Sequence, residues 1–193
     1  MKDTDLLKFL KKLNTPTKIQ DFLNTLENNK ADTVFSPKKS IENKTAHCLE
    51  GALIAHACFI LNKKESFLLD IKAKRNDLDH VVTVFKEDGL YGAISKTSYS
   101  VLKFRDPVFK NARELVMSYF SEYFLENGEK TMLSYSSPFS LKKRNRSWIA
   151  TNEDLYEIGW EIDNVKHFEI APQKVMKKLR KADADEVSRV FEK

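Results

Sequence analysis

From Thr45 to Leu61 the chain reads Thr-Ala-His-Cys-Leu-Glu-Gly-Ala-Leu-Ile-Ala-His-Ala-Cys-Phe-Ile-Leu, a run too apolar for a surface and too long for an ordinary strand. Leu49, Ala52, Leu53, Ala55, Ala57, Phe59 and Ile60 fall on all sides of a 3.6-residue helix, the pattern of an element enclosed by other structure. The expectation is a buried helix with Thr45 as its N-cap, around which the other elements assemble. Cys48 then lies in the first turn, where unpaired backbone N–H groups and the positive end of the helix dipole favour an anion. A thiolate is such an anion, and a helix start with nearby cations brings a thiol pKa from about 8.5 to roughly 3.5–7.5. Cys48 is therefore a candidate nucleophile. Cys58, deeper in the same run, reads as a packing residue. Ten residues of helix separate the two sulfurs by about 15 Å, beyond disulfide reach, so both are expected as free thiols.

The rest of the chain supplies helices at both ends and strands in the middle. Leu6, Leu7, Phe9, Leu10 and Leu13 have helical spacing behind an Asp3 or Thr4 cap, and Thr15-Pro16 opens a second helix lined by Ile19, Phe22, Leu23 and Leu26. Residues 27–44, with Asn28-Asn29 and Ser36-Pro37, read as a loop with one turn of helix that delivers the chain to Cys48. After the buried helix come a strand at 66–73, an acidic loop at 76–79, a strand opened by His80, the turn Glu87-Asp88-Gly89 and a return strand at 90–95. A further extended segment at 99–104 is expected to stop at Arg105-Asp106-Pro107. Residues 112–124 carry Leu115, Val116, Tyr119, Phe120 and Tyr123 on one side of a helix closed by Asn127-Gly128. Residues 131–146 read as irregular, 148–151 and 156–160 as short strands or a covering segment, and Pro172 as the start of one last helix running through Val175, Met176, Leu179, Val187, Val190 and Phe191. This order predicts an α+β fold in a single domain spanning 1–193: lead-in helices and loop (1–45), core (46–125), and cover with C-terminal helix (126–193).

Composition narrows the function classes. Two cysteines make no disulfide framework, the first residues form no apolar signal segment, and no run suits a membrane span, so a soluble cytoplasmic protein without membrane association is expected. The net charge of +5 is spread over 33 basic and 28 acidic residues, which a mixed surface explains as well as a polyanion site does. There is no Gly-rich phosphate loop, no serine elbow and no Cys-x-x-Cys, so no cofactor and no metal is expected. Two basic clusters, Lys142-Lys143-Arg144 with Arg146 and Trp148, and Lys174, Lys177, Lys178, Arg180 and Lys181, read as solvated faces or as a weak nucleic-acid surface.

Thiol chemistry needs an imidazole held beside the sulfur. His80 fits, because it opens a strong strand among polar neighbours. His47 is adjacent to Cys48 and, were both helical, would not face it, which leaves it an electrostatic neighbour. His56 reads as a core histidine, and His167 has no assigned role.

Three pieces, Cys48-Leu49-Glu50-Gly51-Ala52, Asp79-His80-Val81-Val82 and Gly89-Leu90-Tyr91-Gly92-Ala93-Ile94-Ser95-Lys96-Thr97, resemble the transglutaminase-like branch of the papain-like cysteine enzymes. The stretch 47–123, with Arg105-Asp106-Pro107 and Ser118-Tyr119-Phe120, is similar to small bacterial proteins described only as transglutaminase-like. The resemblance implies a cysteine helix packed on an antiparallel sheet, and a Cys-His-Asp triad acting through a thioester on a protein or peptide amide or ester. It assigns Cys48 as nucleophile and His80 as general base and acid. Where such enzymes carry the orienting aspartate, this chain has Ser95, which can accept an imidazole N–H but brings no charge. Either Ser95 orients His80, or a carboxylate of Asp70, Asp79 or Asp106 does, or the fold serves as a non-catalytic module that binds protein or nucleic acid. The N–H of Cys48 is a natural half of an oxyanion hole.

Overall fold

The computed structural model describes residues 1–191. Helix α1 (Asp3–Lys12) buries Leu6 and Leu10, and α2 (Pro16–Thr25) begins where the Thr15 hydroxyl accepts the Lys18 N–H and Pro16 takes the first helical position. The loop expected next, with its one turn of helix, holds a seven-residue helix and a short strand. Two residues form β1 (Glu27–Asn28), and Ser36-Pro37 is a second cap-plus-proline start, opening α3 (Pro37–Asn43). The short β2 (Thr45–Ala46) pairs parallel with β1. That pairing takes Thr45 out of the capping role, so the buried helix α4 (Cys48–Leu61) is capped by His47 instead, whose backbone is extended.

The strands follow as β3 (Ser66–Ala73), β4 (His80–Glu87), β5 (Leu90–Ile94) and β6 (Arg105–Phe109). The expected extended segment at 99–104 is a 3₁₀ turn at Ser100–Leu102, and the strand lies where Pro107 was expected to end it. β6 tolerates the proline because among the described residues it is an edge strand paired with β5 alone, through Tyr91 with Phe109 and Ala93 with Arg105, around an irregular register. Helix α5 (Ala112–Phe120) is capped by Asn111 and ends earlier than its apolar pattern suggested. Beyond it, β7 (Met132–Ser136) runs through the segment expected to be irregular, and residues 148–160 hold a 3₁₀ turn and α6 (Tyr156–Asn164) in place of strands. After β8 (His167–Glu169), the single last helix is replaced by the short α7 (Gln173–Met176) and by α8 (Ala184–Phe191). Asp183 starts α8 afresh by accepting the Glu186 N–H, while Glu186 accepts the Asp183 N–H in return.

The six main strands form one antiparallel sheet in the order β6-β5-β4-β3-β7-β8. Side-chain alternation divides its core in two. Leu68, Val81 and Phe85 face α4, together with apolar residues of α1, α2 and α6. Leu69, Ile71, Val82, Val84 and Ala93 face the other way, onto Leu115, Val116 and Tyr119 of α5. The fold is thus α+β, with α4 buried from Glu50 to Leu61 between the sheet and the outer helices. Among the described residues no helix is long and apolar enough to cross a membrane.

Candidate active site

The N-terminus of α4 meets the sheet beside the start of β4, and an open cleft of about 860 Å³ forms there. Cys48, His47 and His80 line it, with the loop after β1 on one wall, residues 122–125 on another and α6 across the mouth. Cys48 is half-buried, and its Sγ lies 3.9 Å from the Asp79 carbonyl oxygen. Burial alone would raise its pKa. Hydrogen bonds from His47 and from His80, charge interaction with His80 and the Val81 backbone N–H outweigh it, and the thiol falls from 9.0 to about 5. Cys48 is also the first residue of the helix, so its own N–H and that of Leu49 have no intrahelical acceptor.

His47 is nearer to the chemistry than adjacency on a helix would allow, because as the cap it is not helical: φ is −95° and ψ −173°. Its Nε2 lies 2.6 Å from the Thr33 carbonyl oxygen and 3.4 Å from Glu50 Oε1. Burial lowers its pKa, but the hydrogen bond to Cys48, the Thr33 carbonyl and the charges of Glu50 and Cys48 together raise it to about 9. Glu50 is fully buried and satisfied. Its carboxylate accepts from the backbone N–H of His47 and Phe35, from the Thr33 hydroxyl and from the Asn29 amide, folding the 29–35 loop onto the helix start. Glu50 accepting the His47 N–H is the acidic half of a capping box, but histidine is not a residue by which a cap is read from sequence, so the pattern gave no signal for His47.

His80 is buried, and its Nε2 has no hydrogen-bond partner among the described residues. Ser95 is not brought to it. The Ser95 hydroxyl lies 2.7 Å from the Leu102 carbonyl oxygen and 2.9 Å from that of Lys103, to which it donates, and Gln20 of α2 holds the Ser95 backbone N–H and carbonyl. The role expected of Ser95 as orienter is therefore corrected: it ties the end of β5 to the 3₁₀ turn. None of the alternative carboxylates is hydrogen-bonded to His80 among the described residues. Asp106 is exposed on β6. Asp70 and Asp79 converge with Asp163 on the Lys72 ammonium, at 3.2, 2.7 and 2.7 Å. Asp79 also accepts the Ala73 N–H, and Asp70 lies 3.3 Å from His167 Nε2. The three acidic groups surround a lysine, and burial keeps the Asp70 carboxyl above its ordinary range despite that charge.

The remaining sulfur and imidazole are structural. Cys58 is sealed in the core, where burial raises its pKa. His56 hydrogen-bonds Ser66 and accepts the Leu141 N–H, and burial lowers its pKa to about 4. In the basic clusters, Arg144 is paired with Glu157 and Glu161 and Arg180 with Glu186, so neither is a bare run of positive charge.

No protein-family model and no curated protein matches the chain.

Proposed function

We propose that the chain is a cysteine-dependent hydrolase or acyltransferase of the papain-like, transglutaminase-like kind, acting in the cytoplasm on protein or peptide amides or esters through a thioester at Cys48. One observation carries this reading: a thiol at the first residue of a buried helix, flanked by two imidazoles, opens into a cleft large enough for a peptide segment. The thiolate attacks the carbonyl carbon, the oxygen that gains charge meets the free N–H groups of the first turn, and an imidazole returns a proton to the leaving group. The mouth suits an extended chain with apolar side chains. Leu78 and Trp160 are 80% and 67% exposed there, and Tyr99 and Tyr156 stand beside them. A second reading, a peptide-binding module that has kept the fold but not the chemistry, draws on the same exposed residues and on the unpartnered His80 Nε2.

Iodoacetamide separates the two. In the enzyme Cys48 alkylates at pH 6 at close to its maximal rate, while Cys58 stays unmodified until the protein unfolds. A Cys48 that reacts at pH 6 no faster than a free thiol would sink the catalytic reading and leave the binding module.

A further inference from the structure

We propose that His47, and not His80, holds the proton that Cys48 gives up and delivers it to the leaving group, with the Thr33 carbonyl and the Glu50 carboxylate holding its ring. This deepens the thiol reading above and rests on it. A base that serves a nucleophile needs a second group on its far nitrogen, to fix the tautomer and stabilise the imidazolium. His47 has that support and His80 lacks it. A carbonyl oxygen only accepts, so the His47 Nε2, 2.6 Å from Thr33, must carry a hydrogen, and Glu50 Oε1 at 3.4 Å adds a buried negative charge on the same side. With Nε2 fixed there, Nδ1 is the nitrogen left to meet the sulfur. On His80 the Nε2 is buried with no partner among the described residues, Ser95 is turned to Leu102 and Lys103, and Asp70 and Asp79 are held by Lys72.

Glu50 is anchored independently of the histidine ring, by the Phe35 N–H, the Thr33 hydroxyl and the Asn29 amide. Its charge therefore stays in place while the imidazole changes protonation, which is what a supporting carboxylate must do. The titratable groups around the ring are Cys48 and Glu50 of α4 and His80 of β4, and Lys30 and Asp32 of the overlying loop line the same cleft.

The step balances without a further reactant than water. The resting pair is thiolate and doubly protonated His47. The sulfur lone pair forms the bond to the acyl carbon, the carbonyl π pair moves to oxygen, and on collapse the bond to the leaving nitrogen or oxygen breaks as that atom takes the Nδ1 proton. Neutral His47 then removes a proton from water as it attacks the thioester, and the expelled thiolate restores the pair. His80 remains a neighbour that favours the anion without relaying its proton.

The test compares His47→Gln with His80→Gln by the pH dependence of Cys48 alkylation with iodoacetamide. Glutamine retains an N–H for the Thr33 carbonyl, and the His47 side chain at the cap is 24% exposed and so has room for the change, which keeps the helix start. In His47→Gln the rate at pH 6 is expected to fall about a hundredfold, the thiolate fraction lost when a thiol pKa climbs from about 5 to about 8, while His80→Gln stays within about tenfold of the parent. A second reading is spectroscopic. Followed by NMR, the His47 ring titrates near 9 in the parent, and carboxamidomethylation of Cys48 moves that midpoint down by more than about one unit, because the anion that held the proton is gone. A large loss in His80→Gln with His47→Gln near the parent, or a His47 midpoint indifferent to alkylation, overturns the assignment while leaving the thiol enzyme standing. A parent Cys48 with ordinary thiol reactivity overturns the enzyme itself.

Discussion

At the scale of single residues, what decides a role here is which atoms a side chain has left to offer. Ser95 shows this most plainly. By position after the return strand it matched an orienting residue, yet its hydroxyl is buried between the Leu102 and Lys103 carbonyls. Ser95→Ala is expected to destabilise the protein by about 1–3 kcal/mol, because the buried Leu102 carbonyl and the part-buried Lys103 carbonyl lose the one hydroxyl hydrogen they share, and to leave the pH dependence of Cys48 alkylation unchanged. Urea denaturation and the alkylation profile measure the two effects. A profile displaced by Ser95→Ala would restore the serine to the site. Cys48 was legible from the sequence because its neighbourhood is local: an apolar run fixes the helix, and the helix start fixes the environment of the sulfur. His47 was not. The argument that adjacent residues on a helix diverge fails at a cap, where the backbone is extended, and β1–β2 pairing decides that the cap is His47. That pairing is between segments far apart in sequence, which local pattern does not encode.

Elements were readable where periodicity was strong and tertiary context agreed. α4, β3, β4 and β5 lie close to where their patterns place them, since each is a continuous apolar or β-branched run. β6 and β8 were lost because they are short edge strands, and an edge accepts the proline that a central strand would reject, while β7, between β3 and β8, is only five residues long and carries serines that read as loop. The packing between α4 and the chain just after β5 fixes the height of the helix start in the cleft. Gly51 is the contact point. A Cβ built there would come within 2.3 Å of the Lys96 Cβ, and Lys96 cannot swing away freely, because it is buried and its ammonium donates to the Leu26 carbonyl at 2.7 Å. Gly51→Ala is therefore expected to lower stability by about 1–3 kcal/mol through overpacking. A denaturation midpoint equal to the parent's would mean that α4 and the chain after β5 approach each other less closely than described.

For the whole molecule, the ion pair at the cleft should be visible in how folding stability depends on pH. The two partners contribute with opposite signs. The Cys48 thiol falls to about 5 in the fold from 9.0, so its contribution grows as pH rises through that window and is lost as pH falls to 5. The His47 imidazole rises to about 9 from 6.5, so its contribution is complete below 6.5 and is lost as pH rises through 9. Between pH 5 and 6.5 the unfolded chain binds one more proton at this pair than the folded chain does, and stability climbs by at most about 1.4 kcal/mol per pH unit. From 6.5 to 9 the two changes cancel and the contribution is level. Other buried groups titrate as well, Asp70 among them, so the quantity that isolates the pair is the difference between the parent and Cys48→Ala, measured by urea denaturation at a series of pH values. That difference is expected to rise from pH 5 to 6.5 and then flatten. Parallel curves for the two proteins would mean that no proton moves from the sulfur to the ring when the chain folds, and the chemistry assigned to the cleft would lose its resting state.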